Sequence, residues 1–207
     1  MLLEASQQSQ PVSEFIVTSM NQLRAAPNQL TLVRLCIIPF LVLAVLDGHF
    51  RIAFALFVLA GITDGLDGLL ARWLQQRTVL GQYLDPVADK LLLSTLFLVL
   101  HHDGLISRRV TVLVFGRDLG IVMVAAILYA SVGMRDFKPS IFGKANTLAQ
   151  IIALLAVILS QFYAPPAVMY IKHFALLATV AFTVLSGFHY AWMITRRLSL
   201  SGTPANS

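Results

Sequence analysis

Apolar stretches of about the 20 residues that a helix needs to cross hydrocarbon follow one another along most of this chain. No other feature restricts its fold so strongly. They run near 30–48, 51–76, 81–101, 109–132, 145–163 and 168–194, separated by short polar breaks. Hydrophobic residues make up 57% of the 207 and charged residues 12%, and the mean hydropathy is +0.78. Ordinary soluble domains are about 25% charged, so most of this chain is expected to have lipid as its solvent. The expected fold is all-α: a polytopic six-transmembrane-helix bundle, with both termini on one side of the bilayer.

Before the first span, Val12 to Ala26 mixes polar and apolar residues and ends at Pro27. That pattern suits a short helix lying in the membrane interface, or else a frayed tail. The domain reading is therefore a tail and interfacial helix over 1–26, a membrane domain over 27–197 and a disordered tail over 198–207. The opening MLLEASQQSQPVSE lacks the basic start and apolar core of a secretory signal, so no cleavable targeting segment is expected and the N-terminus is placed in the cytoplasm. Lys and Arg are then in excess on the cytoplasmic breaks, as the positive-inside rule asks.

The net charge of +5 is dispersed among apolar segments and forms no basic tract, which points to anionic lipid headgroups and away from nucleic acid. The single cysteine, Cys36, excludes an intramolecular disulfide and is read as a packing residue. His101, His102 and Asp103 stand together at the end of the third span and are read as a solvated turn.

The segment from Thr63 to Lys90 places four aspartates, Asp64, Asp67, Asp85 and Asp89, in or beside two apolar spans. One unpaired aspartate at the centre of a bilayer costs about 2.5–3.5 kcal/mol even on the mildest scale, so all four must face one another, a cation or water. At about 100° per residue, Asp64, Asp67, Gly68, Ala71 and Arg72 fall on one stripe of the second span. Asp85 and Asp89 share a face of the third. A short loop makes these spans a helical hairpin that brings both pairs together, with Gly65 and Gly68 leaving backbone room. Hard oxygen ligands of this kind suit Mg2+ or Mn2+, and two such ions can clamp a diphosphate during an in-line displacement. Two other readings stay open on composition: an ion or proton pathway, and structural salt bridges to Arg72, Arg77 and Lys90.

The spacing D-x2-D-G-x2-A-R-x8-G-x3-D-x3-D is met at Asp64, Asp67, Gly68, Ala71, Arg72, Gly81, Asp85 and Asp89. In this the chain resembles the CDP-alcohol phosphatidyltransferase family. PNQLTLVR, LDPVADK, GRD, GKANT and LSGFHY extend the resemblance over nearly all of 27–195, and they are most similar to the branch that makes glycerol phospholipids. The resemblance implies two Mg2+ or Mn2+ ions held by the four aspartates around the diphosphate of CDP-diacylglycerol, with Asp89 also the base for the acceptor hydroxyl. It implies contacts to the CDP-lipid from Thr31, Gly68, Ala71, Arg72 and Gly81, and a homodimer.

Arg117, Lys138 and Lys144 are the candidate cations for the acceptor. For Arg117 the alternative is an internal pair with Asp118, and for Lys138 an interfacial anchor. Thr31 and Arg34 lie one turn apart and are read as nucleotide contacts or as capping and anchoring in equal measure. Family members that use glycerol 3-phosphate typically carry Arg-Glu in the fourth span and a second arginine two turns on. Here Arg117-Asp118 and Ala125 stand in those places. One cation fewer suits a phosphodiester better than a phosphomonoester dianion, so phosphatidylglycerol is the favoured acceptor and glycerol 3-phosphate the alternative. The short N-terminus points to a bacterial inner membrane, with the active site on the cytoplasmic side.

Overall fold

A computed structural model describes residues 26–73, 79–132 and 141–201, with side chains described for 29–66, 85, 87–120, 123, 141, 143–189 and 192. Every element among them is a helix: α1 (Ala26–Leu46), α2 (Phe50–Trp73), α3 (Val79–His102), α4 (Arg108–Val132), α5 (Ile141–Leu159) and α6 (Pro166–Ser201). They follow the six apolar stretches of the sequence. Val12–Ala25 and the tail beyond 201 lie outside the described residues, as does Lys138.

Two of the helix ends are set by glycine. Gly48 and Gly104 have φ of 72° and 73°, a conformation that costs glycine little and other residues more. After α1, the amides of Gly48 and His49 donate to the carbonyls of Val45 and Ala44; after α3, those of Gly104 and Leu105 donate to His101 and Leu100. Both are Schellman caps, which satisfy carbonyls that the last turn would otherwise leave bare. His101 Nδ1 lies 3.1 Å from the carbonyl of Ile106, so that histidine ties down the turn after α3, while His102 and Asp103 are exposed. Pro166 opens α6 at the position where a missing amide proton costs nothing.

The chain divides into two compact units: Met1–Leu43 with Ala55–Leu92, and Ala44–Phe54 with Leu93–Ser207. In the first, Ile37 and Leu41 of α1, Phe57 and Ala60 of α2, and Ala88 and Leu92 of α3 are buried. In the second, α6 packs on α5 and α4, over an α5 interior of Ala153, Leu154, Val157 and Ile158. There the ring of Phe54 meets that of Phe162 edge-on at 5.8 Å, beneath the Arg51 guanidinium.

The polarity is inverted relative to a water-soluble domain. Phe40, Ile62, Val112, Phe174 and Phe188 are among many large apolar side chains that face outward, while Arg34, Asp118, Asn146, Gln150, Thr179 and Ser186 are buried. Cys36 also lies on the exposed face of α1, which corrects its reading as a packing residue: Ile37 and Leu41 take the inward positions. Among the described residues, Gln29–Leu46 and Pro166–His189 are long and apolar enough to cross a membrane, and Gly143–Leu159 is apolar but shorter.

Candidate active site

In the first unit the carboxylates meet residues of α1. Thr31 and Arg34 stand one turn apart on the inward face of that helix, and both are 0% exposed. Arg34 reaches both neighbours of the predicted hairpin. Its Nη2 lies 2.8 Å from Asp64 Oδ1 on α2, and its Nη1 donates to Asp89 Oδ1 on α3. Thr31 donates its hydroxyl proton to Asp85 Oδ1 at 2.5 Å. A single turn of α1 therefore fixes one oxygen of each of three carboxylates.

The cation and the anions differ in access. The Arg34 side chain is wholly buried, whereas those of Asp64 and Asp89 are 48% and 41% exposed. A ligand arriving from outside thus meets carboxylate, with the guanidinium behind it. Gly65 is exposed and a Cβ there would meet nothing within 4 Å, so the backbone beside Asp64 stays open. Thr63 points its hydroxyl back at the carbonyl of Ala60 and offers no ligand.

The predicted site residues fall into three groups. Asp64, Asp85 and Asp89 are placed on α2 and α3 and joined through α1. Asp67, Gly68, Ala71, Arg72 and Gly81 lie on α2 and α3, with side chains outside the described ones. Among the described residues, no three of His, Cys, Asp and Glu converge as a ligand set; Asp67 falls outside that search. The donor chemistry nonetheless fits a hard divalent ion, because Asp64 and Asp85 each commit only Oδ1 to α1 and retain a second carboxylate oxygen.

The second unit carries a neutral polar seam. Arg117 of α4 donates through Nε to Ser186 Oγ of α6 at 2.8 Å and through Nη1 to Asp118 Oδ1 at 2.6 Å. Ser186 donates to the carbonyl of Thr183, whose own hydroxyl donates to Asn146 Oδ1 of α5 at 3.0 Å. The internal Arg117–Asp118 pair weighed from the sequence is present. Lys144 is exposed, while Asn146, turned by about 200° in two residues, is buried. Sequence reasoning named Lys144 and passed over Asn146 and Ser186. The alternation of exposed Lys144 and Leu148 with buried Asn146 and Gln150 is the helical period that marks the inner face.

A family model for CDP-alcohol phosphatidyltransferases matches residues 24–185. The chain belongs to that family. It is 34% identical to the cardiolipin synthase (CMP-forming) of Homo sapiens over 148 residues, 63% of this chain and 48% of that protein. With the Rattus norvegicus protein of the same name it shares 32% over 184 residues, 79% of this chain and 60% of the relative. With the CDP-diacylglycerol–glycerol-3-phosphate 3-phosphatidyltransferase of Bacillus subtilis (strain 168) it shares 31% over 179 residues, 79% of this chain and 92% of the relative. The chain thus spans about half the length of the human relative. Within the CDP-alcohol phosphatidyltransferases these relatives carry two different names, at near-equal identity.

Proposed function

We propose that this chain is an integral-membrane CDP-alcohol phosphatidyltransferase that moves a phosphatidyl group from CDP-diacylglycerol to an alcohol, with release of CMP. The observation that carries the reading is the set of half-exposed carboxylates, Asp64 and Asp89 with Asp85 alongside, held from behind by buried Arg34 and Thr31 in a chain of this family.

In this reading Asp64, Asp67, Asp85 and Asp89 hold two Mg2+ or Mn2+ ions, which when bound neutralise the diphosphate and favour departure of CMP. Asp89 takes the proton from the acceptor hydroxyl. The acceptor oxygen then forms a bond to the phosphorus that carries diacylglycerol, and the bond from that phosphorus to the CMP oxygen breaks. Arg34 is a positioning residue: two anions held by one rigid guanidinium fork keep α2 and α3 in register. Gly68, Ala71 and Gly81 let the nucleotide approach the helices, with Arg72 as a further contact to the CDP-lipid. Thr31, a contact to the CDP-lipid in this reading, also steadies Asp85, to which its buried hydroxyl donates.

The acceptor is phosphatidylglycerol, giving cardiolipin, with glycerol 3-phosphate as the second reading. Arg117 is the cation for its phosphate, with Lys138 and Lys144 as further anchors. The inverted polarity supports a six-span bundle over 27–197 in a lipid bilayer, with the interfacial helix before it. It is proposed as a homodimer of the bacterial inner membrane, with the active site and both termini on the cytoplasmic side. The test is CMP release by purified protein in mixed micelles with CDP-diacylglycerol and Mg2+, offered each acceptor separately. Release with phosphatidylglycerol alone supports the first reading, and release with glycerol 3-phosphate alone the second. No release with any alcohol sinks both.

A further inference from the structure

A groove of about 420 Å³ runs between α4 and α6, within the second unit. Its walls are Val112 and Leu113 on one side and Val184 and Phe188 on the other. Two glycines open it, Gly116 from α4 and Gly187 from α6, and a Cβ built at either meets nothing within 4 Å. Glycine weakens a helix relative to alanine. Neither position needs it for a positive φ or for close helix contact. What the two glycines provide is space.

Arg117 lines that space. Its side chain is 8% exposed, so it is more than nine-tenths buried. It commits Nε to Ser186 and Nη1 to Asp118, and Nη2 has no partner among the described residues. The groove therefore offers an apolar trough with a fixed cationic donor in its floor. A phosphodiester anion suits the remaining guanidinium donors, and an acyl chain suits the walls. Arg117 is the charged residue among those lining the groove, so a headgroup ammonium finds no carboxylate in the lining.

We propose that the groove between α4 and α6 binds an anionic glycerophospholipid laterally from the bilayer, its phosphodiester on Arg117 and one acyl chain along Val112, Val184 and Phe188. On the reading above, which this inference deepens, that lipid is the acceptor. A lipid acceptor then never has to leave the membrane to reach its site.

The experiment uses the full chain in lipid nanodiscs and phosphatidylglycerol bearing a photoactivatable acyl chain, with identically labelled phosphatidylcholine beside it. Labelling mapped to 112–117 and 184–188 is expected to favour phosphatidylglycerol. It should fall about tenfold in Gly187→Leu, the effect of roughly two methylene groups losing their contact. Gly116→Leu fills the groove from the opposite wall and should act alike if either variant folds poorly. Leu177→Phe, which adds bulk on an exposed part of α6 outside the groove, should leave labelling unchanged. In turnover, Gly187→Leu should raise the apparent KM for phosphatidylglycerol by about tenfold and change kcat little.

Equal labelling by the two lipids, or labelling that Gly187→Leu does not reduce, overturns the inference. If CMP is released only with glycerol 3-phosphate, the acceptor reading fails separately, and the labelling still decides the groove.

Discussion

The two units each bury an arginine, and they use it differently. Arg34 lies between carboxylates of two other helices, and those carboxylates are nearly half exposed. Arg117 pairs with its own neighbour Asp118, only 7% exposed, and with a hydroxyl of α6. In the first unit Arg34 faces two accessible anions, and the second oxygens of Asp64 and Asp85 suit a further cation from outside. In the second the guanidinium is matched by one enclosed anion, and its spare donors suit a ligand bearing a single negative charge. Burial of an arginine is therefore no guide to its role; the exposure of its partners is.

The comparison breaks most sharply at Asp89. Asp89→Asn preserves the shape of the group on Arg34 but cannot accept a proton, so CMP release should fall by about 10²–10⁴ while the protein stays folded and still binds CDP-lipid. Unchanged turnover would remove Asp89 as the base. Chelation is its companion: EDTA should reduce CMP release to background and added Mg2+ or Mn2+ restore it, whereas thermal stability of the second unit's Gln150 and Asn146 variants should not respond to either.

Arg34→Met comes next. It leaves Asp64 and Asp89 without their shared partner, and breaking a buried pair typically costs about 3–5 kcal/mol; the half-open carboxylates put this one near the lower end. A denaturation midpoint in detergent unchanged from wild type would show that α1 does not hold α2 and α3 together through this residue. Thr31→Val is smaller, because it deletes one hydrogen bond to a charged group, worth about 1.5–3 kcal/mol. It should lower activity mainly through Asp85, with apparent metal affinity weakened more than the KM for either lipid; a Thr31→Ser variant should recover most of it.

The smallest effect is expected in the neutral seam, with the opposite sign. Gln150 is fully buried, and neither of its amide atoms has a partner among the described residues. Gln150→Leu should therefore stabilise the chain, by about 1 kcal/mol. A loss of stability would mean that the carboxamide holds water or a polar ligand.

The six described helices, and the placing of Asp64, Asp85 and Asp89 on two of them, were legible before any coordinates. Long apolar runs in a chain with so few charges set the helices, and the fixed spacing from Asp64 to Asp89 set the carboxylates, because both are properties of local period. The Schellman turns at Gly48 and Gly104 were less plain, since a glycine marks a possible turn without stating the register of the cap. The pairing of Arg34 was not legible. The sequence offered Arg72, Arg77 and Lys90 as nearer cations for the aspartates, and only tertiary packing brings a residue 55 positions from Asp89 against it. Likewise the rotation of α5, which turns Asn146 inward and Lys144 outward, was not legible in the sequence. Composition and spacing act along one helix at a time and so determined which segments are helical and which carboxylates share a face. The rotation of each helix about its own axis, and hence which cation answers which anion, depends on contacts among helices and was decided only by the tertiary structure.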